Sequence, residues 1–171
     1  MSSVLNIVLL GFQILFVFCM CYAVVSDFRK LLIPNWIIVT LVAAFPLFGL
    51  LYLEPLTLLW HVLIALAVLA CTMALFALNW IGGGDAKLMA GAALWAGPGH
   101  MAIFLLVMSA LGFVIAIVLV GLRGNGVLFA GLLPDNSFLR RLQVLARQGQ
   151  CPYGVAIGGA ALVAAPGIFL H

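Results

Sequence analysis

A chain of 171 residues that is 67% hydrophobic and 6% charged lies far from the roughly quarter-charged composition of soluble domains, which excludes a water-soluble core. The formal net charge of +3 comes from seven basic and four acidic residues. Their placement reads as membrane topology, with no nucleic-acid partner called for.

Long apolar runs separated by short breaks, without the alternation of barrel strands, predict an all-α integral membrane protein whose principal partner is the lipid bilayer. One polytopic domain over residues 1–171 is expected, a six-span helical bundle with one short span and a cytoplasmic interfacial helix. The spans are 4–25, 36–53, 56–80, 86–96, 101–122 and 153–170. The first lacks a basic segment before it and is long enough to cross, so it reads as a retained span rather than a cleaved signal. Turn chemistry marks the breaks: Pro34-Asn35, Glu54-Pro55, Gly82-Gly83-Gly84, Gly97-Pro98-Gly99 and Gly124-Asn125-Gly126. Asn35 is expected to cap the second span. The fourth span would rise only about 16 Å at 1.5 Å per residue, roughly half of a bilayer core. Its start at Asp85 should therefore be recessed, with Gly82 to Gly84 as irregular backbone.

All the basic residues fall in alternate breaks: Arg29 and Lys30, then Lys87, then Arg123, Arg140, Arg141 and Arg147. The positive-inside rule turns those breaks to the cytoplasm and both termini outward. In the fifth break Phe138, Leu142 and Leu145 recur at helical spacing opposite Arg140, Gln143 and Arg147, the pattern of the interfacial helix, with a solvated loop as the alternative. In the last span Gly154 and Gly158, with Ala156, Ala160 and Ala164, suit close helix packing.

Chemistry has few candidates. The acids are Asp27, Glu54, Asp85 and Asp135. Asp27 closes the first span and Asp85 opens the fourth, both at the cytoplasmic edge, where ionisable groups are costly and tend to be functional. The ordinary readings are a screened juxtamembrane charge for Asp27 and a helix cap for Asp85. Three glycines before Asp85 allow positive φ and close approach of another chain. Cys19, Cys21, Cys71 and Cys151 have no zinc-type spacing and read as small buried hydrophobes. His61 and His100 lack ligand partners and read as core or interfacial groups. No metal or cofactor is called for.

The segment Gly82-Gly83-Gly84-Asp85-Ala86-Lys87-Leu88 resembles the GxGDxK motif of type IV prepilin peptidases, members of the GxGD class of membrane aspartyl proteases. Ser26-Asp27-Phe28-Arg29 with Ile33-Pro34-Asn35 is similar to that family's first aspartate segment. Ala93-Leu94-Trp95-Ala96-Gly97-Pro98 and Pro152-Tyr153-Gly154-Val155-Ala156-Ile157 resemble the short branch serving Flp (Tad) pili, the TadV/CpaA type. The resemblance implies a bacterial inner-membrane endopeptidase that removes the short basic leader of prepilins and pilin-like proteins, alongside the pilus assembly machinery. It also implies catalytic Asp27 and Asp85, with Gly82, Gly83 and Gly84 as backbone beside the substrate. No methyltransferase or zinc domain is expected, because the cytoplasmic domain of longer relatives has no counterpart.

In such a pair one carboxylate acts as base on water and the other protonates the carbonyl. Asp27 at a helix C-terminus is expected to hold the shared proton, and Asp85 at an N-terminus to be the base. Lys87, two residues on, should point away from Asp85 and reach headgroups, or else meet an acidic substrate group. Pro34 and Asn35 start the second span, and Tyr153 anchors at the interface or lines the site. The rival readings are a small transporter and a non-catalytic component of pilus or secretion assembly.

Overall fold

The computed structural model describes residues 2–124, 144–146 and 151–169. Every regular element among them is helical: α1 (Ser2–Lys30), α2 (Asn35–Tyr52), α3 (Pro55–Ala77), α4 (Gly83–Gly124) and α5 (Tyr153–Phe169). The first four are long and apolar enough to cross a membrane, and α5 is a shorter apolar helix. Their outer surfaces fit that environment. Val4, Ile7 and Ile14 of α1 and Leu106, Phe113 and Val120 of α4 are all more than 60% exposed, a density of bare apolar side chains that water would not tolerate.

The break after Ala96 falls where the sequence placed it. Two helical stretches of α4 meet there in a kink at Gly97, whose φ of 56° and ψ of −168° are not helical. That backbone conformation is essentially closed to residues with a Cβ. Pro98 has no N–H to offer Leu94, the carbonyl four residues earlier. In an apolar interior an unmet carbonyl is expensive, and His61 of α3 supplies the missing donor, its Nδ1 lying 2.8 Å from the Leu94 oxygen. Because a carbonyl can only accept, the Nδ1 carries the hydrogen. The ring is 7% exposed and stacks on Phe45. His61 is thus the core group the sequence suggested, with a specific structural role.

Packing centres on Trp95, fully buried among Phe12, Phe16, Phe45, Phe48 and Phe169 at ring separations of 5.1–6.3 Å. Its indole N–H donates to Leu41 O at 3.1 Å, so the polar handle of this large side chain is satisfied. The small residues of α5 do bring helices together: a Cβ on Gly158 would lie 2.5 Å from Val24 and 3.2 Å from the Met20 carbonyl. With Ala160, Ala161 and Ala164 also buried, α5 packs on α1 and α4.

Two expected details are corrected. The N-cap of α2 is Pro34 and no side chain caps it, so Asn35 is the first helical residue instead of the cap. Gly83 and Gly84 are already in α4, leaving only Gly82 outside, and none of the three takes a positive φ. The helical continuation of the triplet follows from Asp85, whose carboxylate reaches back to the Gly82 backbone N–H, as an acidic third residue does in a capping box. The interfacial helix lies outside the described residues except 144–146, which are helical. Leu145 and Ala146 there are buried against Leu119, with Phe28, Leu31 and Ile115 packed around them.

Candidate active site

Asp27 sits in the last turn of α1, whose end is set by Leu31 in the left-handed region at φ 52°. Ser26 holds the chain beyond it, its hydroxyl donating to Leu32 O at 2.7 Å. The Asp27 side chain is 4% exposed and turns toward the start of α5. There it accepts the backbone N–H groups of Gly154 and Val155 in the first turn of α5, where helix donors lack full intrahelical partners; the Val155 N–H also reaches the Pro152 carbonyl at 3.2 Å. Its Oδ2 is buried with no hydrogen-bond partner among the described residues.

Asp85, half-buried in the first turn of α4, lies close enough to Asp27 for their charges to interact. The expected asymmetry between the two acids is therefore absent. Asp27 is near the C-terminus of its own helix but faces the N-terminus of α5, so each carboxylate is met by the positive end of a helix dipole. Nothing in the dipoles assigns the proton to one of them.

Gly154 was expected to serve helix packing, and it also makes room for the first acid, since a Cβ there would stand 2.9 Å from both Cγ and Oδ2 of Asp27. Gly154→Ala should leave the fold intact and lower catalytic efficiency by about 10²-fold, the loss typical of a group displaced by an ångström. An unaltered rate in that variant would show that Asp27 does not need this seat. The neighbouring glycines differ among themselves. Gly83 abuts Phe76 and Gly84 abuts Ile33, so the protein's own chain occupies their open sides, and Gly82 stays exposed.

Pro34 and Asn35 begin α2, and Ile33 beside them touches Gly84, which ties the Asp27 segment to the Asp85 segment. Lys87 is exposed and on a different side of α4 from Asp85. Tyr153 is 39% exposed, its ring end against Gly112 of α4. Of the cysteines only Cys19 is buried as expected; Cys21, Cys71 and Cys151 are exposed, the first two on outer helix faces where lipid replaces a protein core.

Cys151 is the site neighbour the sequence reading missed. Partial desolvation and then the charges of Asp27 and Asp85 push its thiol above the usual range. Only the thiolate reacts with alkylating reagents. In a Cys21→Ser, Cys71→Ser background, alkylation of Cys151 should thus have its rate midpoint at higher pH than an ordinary cysteine. Asp85→Asn removes a negative neighbour and should move that midpoint down; an identical midpoint in both proteins would mean that Asp85 does not face the thiol.

Residues 14–117 match the model of the type IV leader peptidase family. That span holds both aspartates and ends before α5. Comparison with curated proteins gives no match, and comparison with solved structures gives none either.

Proposed function

The chain belongs to the type IV leader peptidase family, a family of proteases, and from that premise we propose that it is a membrane aspartyl endopeptidase cleaving the short basic leader from Flp-type prepilins and pilin-like proteins. The observation that carries the aspartyl reading is that Asp27 and Asp85, from different helices, lie near enough for their charges to interact. Like charges this near favour one shared proton. The ionised member takes a proton from water, whose oxygen adds to the scissile carbonyl carbon while the protonated member supplies its proton to the carbonyl oxygen. When the tetrahedral centre collapses, the C–N bond breaks, the leaving nitrogen is protonated by the acid that accepted water's proton, and the other carboxylate takes back a hydroxyl proton, which restores the pair. The N–H groups of Gly154 and Val155 hold Asp27 in position throughout.

The arrangement in the membrane follows from length and charge. The apolar stretch of α4 has 41 residues, roughly 60 Å at 1.5 Å per residue, which is twice the hydrocarbon thickness. It crosses twice, with its break at Gly97, and α5 completes six spans. Arg29, Lys30, Lys87 and Arg123 then face the cytoplasm with the two acids, at the inner membrane, where a basic leader would be presented. Incubating purified protein with a purified prepilin, and reading the new N-terminus by mass spectrometry, tests the whole reading. Release of the leader supports it, and an uncut prepilin in an otherwise folded preparation overturns it.

A further inference from the structure

We propose that the outward groove between α2, α3 and the first half of α4 is a binding site for one anionic phospholipid, its acyl chain in the groove and its phosphate on Lys87. The groove encloses about 340 Å³. On α4 its wall is Lys87, Ala90, Gly91 and Leu94, the one-face spacing of a helix over two turns. Pro46 of α2 and Leu66 of α3 form the facing walls.

Its chemistry is divided lengthwise. Every lining residue is apolar apart from Lys87, which stands at the end nearest Gly83 and makes no ion pair with a described residue. A cation at one end of an apolar trough complements a ligand with an anion at one end of a hydrocarbon chain. A single acyl chain fits such a trough lengthwise, along the two turns of α4 that line it. The walls belong to helices apolar enough to cross a membrane, so the lipid needs no path through water. The inference is independent of the proposed reaction and needs only that α2 to α4 lie in a bilayer.

A single lysine near a membrane surface contributes about 1 kcal/mol toward an anionic lipid, which is about fivefold in affinity. Purified protein equilibrated with equal amounts of phosphatidylglycerol and phosphatidylcholine, then examined by native mass spectrometry, should retain one phosphatidylglycerol with about that preference. Lys87→Gln should retain lipid without the preference, and Ala65→Phe, which fills the groove, should lose it altogether. Should Ala65→Phe fail to fold, Leu66→Trp at the exposed lip should weaken retention in the same way. Equal retention of both lipids by the unaltered protein, or an undiminished preference in Lys87→Gln, overturns the proposal. So does a photo-crosslinker at Leu66 that captures a prepilin helix in place of lipid.

Discussion

Asp27→Asn and Asp85→Asn should each lower leader cleavage by about 10³-fold or more while the protein still inserts and folds. Positioned acid–base groups are each worth about 10²–10⁴-fold, and members of one catalytic unit fail together. Asparagine keeps the shape, and at Asp27 it still offers a carbonyl oxygen to the Gly154 and Val155 N–H groups, so the loss isolates the proton chemistry. Glu54→Gln is the control. Glu54 is the N-cap of α3 and its side chain makes no cap hydrogen bond, so cleavage should stay within twofold or so. Asp135 lies outside the described residues, and its turn setting in the sequence predicts the same indifference. Full activity in either aspartate variant, at matched amounts of membrane-inserted protein, would remove the dyad. A double variant no worse than the singles would strengthen it.

Gly97→Ala should be strongly destabilising, by about 3 kcal/mol or more. Two costs add: an L-residue in this backbone region loses about 1–3 kcal/mol, and the new Cβ would fall 2.1 Å from the His61 ring. Relief of the clash requires the ring to move, which would strip Leu94 O of its donor at a further cost of about 1–3 kcal/mol. His61→Ala should be destabilising by itself for that last reason. In the His61→Ala background Gly97→Ala should cost markedly less, because the ring is already gone and the two effects share one cause. Thermal unfolding in a mild detergent reads all four proteins, and strict additivity would show that the His61 ring is not what the Cβ meets.

The helices were legible in the sequence because lipid imposes one rule on every residue of a span, and apolar length reports it directly. The aspartates were legible because a charge at a span's edge contrasts with everything around it. What the sequence hid were pairings across long separations. Gly154 fits the small-residue pattern of α5 so well that its contact with Asp27, on the first helix, leaves no separate trace. The dipole argument for splitting the proton used only the helix on which each acid sits, and α5 cancels it. Gly97-Pro98-Gly99 read as the end of a span, since glycine and proline usually stop helices, and the kink at Gly97 lies there; what the segment did not disclose is that His61, 33 places before Leu94 in the chain, meets the one carbonyl that proline abandons. Asn35 has the chemistry of a cap, but Pro34 already provides the extended backbone that an N-cap position requires, at φ −63° and ψ 135°.

The seat of Asp27 also sets an order of events during synthesis. The carboxylate emerges with the first helix, and Asp85 follows with the fourth, yet the two backbone N–H groups that hold Asp27 belong to the last helix. A nascent chain that has inserted through residue 124 therefore carries both acids and no finished site. In the proposed mechanism, proteolytic competence arrives only when α5 is made and docks, so a half-made chain is a silent one.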